Sequence, residues 1–202
     1  MKIYLLLTDT GTVLNTAIKK YTRKPYNHAS LALDNQLTQV YSFARKNVYN
    51  PFFGGFVRED VTAHVLNEAF CELYSLEVTP LQYKQLQFMM SQFEKDKDQY
   101  KYNFLGLLAI VLHRDFNRDN AYFCSQFVAH ALKEADIQLH DKAPHLTTPD
   151  DFRQLEQVEL IYEGTVQEYL VKENPMFDFS REAGLTRTLH HFYKLCQKRL
   201  VG

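Results

Sequence analysis

Cys124 stands where a short aromatic stretch, Tyr122-Phe123, runs into the helical pattern Cys124-Ser125-Gln126-Phe127-Val128. A cysteine in the first turn of a helix meets the positive end of the macrodipole and N–H groups without intrahelical partners. Both favour thiolate over thiol. Well upstream, Tyr26-Asn27-His28 opens the alternating segment Ala29-Ser30-Leu31-Ala32-Leu33. A histidine held at the end of a rigid strand can serve such a thiol as general base. The chemistry these two residue types support is nucleophilic attack on a carbonyl carbon, provided the fold brings them together.

The other reactive side chains offer less. Cys71 falls in a strand pattern and Cys196 in a terminal helical pattern, so both read as packing residues. Three cysteines form no disulfide framework, which fits a reducing cytoplasm. Of the eight histidines, none belongs to a HExxH or Cys-x-x-Cys set, and the adjacent His190-His191 diverge on a helix. His130 falls nearly opposite Cys124 around its helix. Phe53-Gly54-Gly55-Phe56 lacks the strand-loop-helix context of a phosphate loop. No metal and no cofactor is implied.

The elements that must position this chemistry follow from periodicity. Lys2–Thr8 reads as a buried strand, followed by a Thr10-Gly11-Thr12 turn and a short helix near Val13–Tyr21. A hairpin follows, His28–Leu33 turning at Asp34-Asn35-Gln36 and returning through Thr38–Arg45. Asn47–Gly55 reads as a loop, and strands are expected at Phe56–Thr62 and Phe70–Val78. Thr79-Pro80 starts a helix whose packed stripe is Leu86, Met89, Met90 and Phe93. Tyr102–Leu112 is apolar nearly all round and reads as a buried helix. The cysteine helix spans Cys124–Ala135, with Phe127, Val128, Ala131 and Leu132 facing inward. Leu146 to Phe152 is a turn leading into a helix start, and Val158–Tyr162 and Val166–Leu170 read as short strands. From Ser180 an amphipathic helix carries Leu185, Leu189, Phe192 and Cys196 on one stripe.

A chain of 202 residues suits one substantial core. The expected division is one main domain over residues 1–170 and a C-terminal extension with an amphipathic helix over 171–202. With 23 basic against 24 acidic residues there is no field to hold a nucleic-acid backbone. The apolar run at the N-terminus is too short for a signal peptide, and Phe104–Leu112 falls short of the ~20 residues of a membrane span. The expectation is a cytoplasmic chain with no transmembrane segment. The C-terminal helix closes its own core, or alternatively docks on a membrane surface or a second copy.

The strings Asn27-His28-Ala29-Ser30-Leu31-Ala32-Leu33-Asp34, Tyr41-Ser42-Phe43-Ala44-Arg45-Lys46 and Phe123-Cys124-Ser125-Gln126-Phe127-Val128 resemble the circularly permuted papain-like cysteine hydrolases. These form the permuted branch of the NlpC/P60 superfamily, related to the lecithin:retinol acyltransferase-like enzymes. In that branch the histidine precedes the cysteine, as here. The resemblance implies an α+β fold, an antiparallel sheet or small barrel packed against the cysteine helix. It makes Cys124 the nucleophile and His28 its base, acting on an amide or ester of a small molecule, peptide or lipid. It also implies a third polar residue on the strand after the histidine. With a two-residue turn Gln39, Tyr41 and Phe43 share the face of His28; with a three-residue turn Val40 and Ser42 do. Tyr41 is preferred, with Ser42 and Gln39 as alternatives; no Asp, Glu, Asn or His occupies these positions. The backbone N–H of Cys124 and the Tyr26 side chain are the oxyanion donors considered. The alternatives to a hydrolase are an acyltransferase on lipid substrates and a lipid- or ligand-binding module that keeps the fold without turnover.

Overall fold

The computed structural model describes residues 1–11, 23–45, 54–111, 120–138 and 141–173. The expected helix near Val13–Tyr21 and the amphipathic segment from Ser180 lie outside the described residues.

The chain is mixed α and β. Strands β1 (Lys2–Asp9), β2 (His28–Ala32), β3 (Val40–Arg45) and β4 (Gly54–Glu59) come first, followed by the short helix α1 (His64–Asn67) and strand β5 (Phe70–Glu77). Helix α2 (Pro80–Lys95), strand β6 (Lys101–Tyr102), helix α3 (Phe104–Val111), strand β7 (Ala121–Tyr122) and helix α4 (Cys124–Glu134) follow. Helix α5 (Pro149–Phe152), strand β8 (Val158–Thr165) and helix α6 (Val166–Glu173) complete the described part. Six strands form one antiparallel sheet in the order β4-β3-β2-β1-β5-β8, and β6 and β7 make a two-stranded parallel pair.

Pleat parity divides the sheet into two apolar faces. Leu5, Leu7, Ala29, Leu31, Tyr41, Phe43 and Phe56 belong to the cluster that receives α2 and α4. Leu6, Ala32, Val40 and Leu73 belong to the other cluster, with Tyr169 and Leu170 of α6. Phe43 centres the first, with Phe127 of α4 at 5.1 Å between ring centroids and Phe93 of α2 at 6.0 Å. This aromatic seat decides where the cysteine helix lies on the sheet.

Three local expectations change. Gly54 and Gly55 belong to β4 rather than to a loop, because the backbone around Tyr100 crosses that strand closely. A Cβ on Gly55 would stand 2.8 Å from the Tyr100 carbonyl oxygen. Val166–Leu170 is helical, not extended. Its start is set by a Thr165-x-x-Glu168 pair, Glu168 N–H donating to Thr165 Oγ1 at 3.3 Å and Thr165 N–H to Glu168 Oε2 at 3.1 Å. The hairpin turn is longer than its Asp34-Asn35-Gln36 signal. Asp34 accepts from Thr38 N–H at 3.0 Å and Gln39 N–H at 2.9 Å, holding Leu33–Gln39 as a wider connection. The start of α2 is as expected, with Gln82 N–H donating to Thr79 Oγ1 at 3.2 Å. Among the described residues no helix is long and apolar enough to cross a membrane.

Candidate active site

Helix α4 begins at Cys124, where the chain leaves the extended conformation of Phe123 just after β7, and no side chain caps its first turn by a hydrogen bond. Its first turn is tethered by a buried bond, Ser125 Oγ donating to the Thr147 carbonyl at 2.7 Å. His28 is the first residue of β2 and pairs with Thr8 of β1. The strand end before it is held by Asn27, whose Oδ1 accepts from Thr10 N–H at 3.1 Å and whose Nδ2 donates to Asp9 Oδ1 at 2.7 Å. Docking of α4 on the sheet then brings the two ends together at one cleft, where the Cys124 sulfur and the His28 ring are close enough to shift each other's ionisation.

The second ring nitrogen has a partner that the hairpin reading does not include. His28 Nε2 lies 2.7 Å from Glu59 Oε1, and Ser30 Oγ donates to Glu59 Oε2. With Nε2 turned to Glu59, Nδ1 is the nitrogen left for Cys124. Register explains why the carboxylate comes from β4. Ala32 pairs with Val40 and Val40 with Glu59, so these three share one sheet face. His28 and Ser30 lie on that same face, by the two-residue side-chain period.

The same register corrects the third-residue expectation. Tyr41 pairs with Leu31 and so points to the opposite face, where its ring stacks on Phe56 at 5.9 Å. Ser42 shares the His28 face, but its hydroxyl donates to the Ala29 carbonyl at 2.8 Å. Gln39 falls in the connection before β3, where its carbonyl accepts from Leu33 N–H at 3.0 Å. Tyr26 is also displaced from its expected role. Its hydroxyl bonds to Glu72 of β5, which Arg153, at the end of α5, grips at 2.7 and 2.9 Å.

Burial shapes the electrostatics. Cys124 is 3% exposed and His28 9%. Burial by itself would pull the imidazole down, but the Glu59 carboxylate and the bonded Cys124 sulfur outweigh it. The ring is held well above the usual histidine value. Burial likewise pushes the Cys124 thiol up. The His28 charge and hydrogen bond, with N–H groups of Ala29 and Ser125 directed at sulfur, reverse this and lower it. Both directions favour a thiolate–imidazolium pair. Cys71, buried without such partners, is pushed up to about 12.

A cleft of about 310 Å³ opens over Cys124 and His28. Ala44 and Val57 of the sheet and Ala63, Val65 and Leu66 around α1 supply apolar lining. Thr10, Asn27, Glu59 and Asp60 supply polar lining, and no lysine or arginine is among the described residues there. Among the described residues no group of three His, Cys, Asp or Glu side chains is placed to hold a metal ion.

No protein-family model matches the chain, and no curated protein matches it.

Glu59 and Ser30 are the site neighbours that sequence reasoning missed. The available signal is an acidic residue inside the strand pattern Phe56-Val57-Arg58-Glu59, two strands away from His28 in the sheet.

Proposed function

We propose that the protein is a cysteine-dependent hydrolase of amides or esters, built as a permuted papain-like domain. The observation that carries this reading is the continuous contact Cys124–His28–Glu59 at a cleft, with Nε2 and Oε1 2.7 Å apart. Chain order, with the histidine strand before the cysteine helix and both against an antiparallel sheet, supports the assignment to that fold.

The Cys124 thiolate attacks the substrate carbonyl carbon. The backbone N–H of Cys124, at the positive end of α4, stabilises the oxyanion as it forms. His28 passes its Nδ1 proton to the leaving amine or alkoxide, the bond to that group breaks, and an acyl-thioester remains. Neutral His28 then takes a proton from water, whose oxygen attacks the thioester. Collapse returns the thiolate and the imidazolium and releases the acid. An alcohol or amine in place of water makes the same steps an acyl transfer. Glu59 holds the ring tautomer and balances the imidazolium. The apolar lining and the carboxylates of Glu59 and Asp60 favour a neutral, partly apolar substrate over an anionic one.

The test is incubation with a panel of activated neutral and carboxylate-bearing esters, read by product release and by intact-protein mass. The expected result is a Cys124 acyl adduct, and a loss of turnover of about a thousandfold or more in Cys124→Ala and His28→Ala. Turnover that survives Cys124→Ala overturns the reading. A second reading, a ligand-binding module without turnover, draws on the near-complete burial of Cys124. It predicts saturable ligand binding in the cleft with no adduct from any ester.

A further inference from the structure

We propose that Ser30 is a positioning residue for this site, its hydroxyl holding one oxygen of Glu59 so that the other is presented to His28. The inference rests on the reading of Cys124 as a nucleophile served by His28.

A glutamate reaches its target through three torsions, and the last is broad and two-fold. Nothing within the carboxylate distinguishes its oxygens or fixes its plane. Here both oxygens are used, Oε1 by His28 Nε2 and Oε2 by the Ser30 hydroxyl. Ser30 is fully buried and the Glu59 side chain only 6% exposed, so bulk water does not compete for either oxygen. A serine hydroxyl has one hydrogen to donate, and in this geometry it goes to the carboxylate.

The two prongs of the clamp sit on one rigid strand. His28 and Ser30 are i and i+2 on β2, roughly 7 Å apart along one face. The neighbouring β1 pairs Thr8 with His28 and Leu6 with Ser30, so the spacing between the prongs is set by ladder bonds rather than by side-chain torsions. Ser42, a second buried hydroxyl on this face, is spent on the Ala29 carbonyl at 2.8 Å. Without Ser30, Glu59 keeps its charge but loses the contact that selects its rotamer. The imidazolium partner is then held less well, and the thiolate with it.

The test is the pH dependence of Cys124 alkylation by iodoacetamide in the full chain, from pH 5 to 9, resolved from the other cysteines by mass spectrometry. Ser30→Ala should move the rising limb up by about half to one pH unit, about three- to tenfold slower near pH 6. Ser30→Thr keeps the hydroxyl and should restore the limb, whereas Ser30→Val, isosteric with the threonine variant, should not. That comparison decides the matter even if the alanine variant folds poorly. In a Glu59→Gln background Ser30→Ala should add nothing, since its effect passes through the carboxylate. The inference is overturned if Ser30→Ala leaves the limb unmoved, if Thr and Val variants coincide, or if the shift persists at full size in Glu59→Gln. Failure of the hydrolase reading would show separately, as absence of any Cys124 acyl adduct while the alkylation coupling remains.

Discussion

Three side chains, from two strands and one helix end, meet within one buried volume, and each changes what its neighbour does. Glu59 offers a carboxylate to Nε2 of His28, and the imidazolium so favoured lowers the Cys124 thiol against the opposing effect of burial. Glu59→Gln keeps the shape and removes the charge. The sign follows directly. With less negative charge beside it the ring's pKa falls, less imidazolium survives at neutral pH, and the thiol's pKa rises. The acid limb of the pH–rate profile should therefore move to higher pH. Turnover of an activated ester should fall by about a hundredfold or more, since the ring loses both its orienting partner and its counter-charge. Steady-state kinetics from pH 5 to 9 checks this; an unshifted limb would show that Glu59 is only a structural neighbour. Tyr41→Phe is the matching comparison, because its ring lies on the opposite face and its hydroxyl does not reach the site. It should leave the limb where it is.

The position of α4 on the sheet depends on aromatic packing rather than on polar contacts. Phe43 is fully buried and meets Phe56, Phe127 and Tyr122 at 5.9, 5.1 and 5.0 Å. Phe43→Ala removes the ring that both β4 and α4 lean on, and should cost about 3–5 kcal/mol in urea unfolding. Because β4 carries Glu59 and α4 carries Cys124, the same variant should blunt the reactivity of Cys124 even where the protein stays folded. The elements themselves were largely readable in advance. Thr79-Pro80 with Gln82 predicts the start of α2 because a cap is a contact between near neighbours in the chain. The short apolar run at Val166 fits both the strand and the helix period, and the Thr165–Glu168 cap is what settles it as a helix.

Across the whole molecule the described cysteines report different things. Cys71 is 1% exposed in the second apolar cluster, and burial pushes its thiol up to about 12. It should stay unlabelled in the native protein at pH 7 and react only as the sheet opens, so its labelling rate in rising urea should track global unfolding. Cys124 should react natively, through the cleft and without unfolding. Mass-resolved labelling at several urea concentrations separates the two. Rapid native labelling of Cys71 would mean that β5 opens independently of the sheet around it.

The features legible along the chain are local. The first-turn place of Cys124, the alternation that begins at His28, the capping of α2 and the apolar stripe of α4 all rest on interactions within a few residues. Long-range packing is what sets the His28 ring against Glu59 rather than Tyr41, Ser42 or Gln39, and turns Tyr26 to Glu72. Those outcomes depend on register. One residue more or less in the Leu33–Gln39 connection exchanges the two faces of β3, and with it every side chain that β4 presents beyond. That register is set by long-range strand pairing and by the burial of Phe43 against α4, neither of which is encoded in the spacing of neighbouring residues.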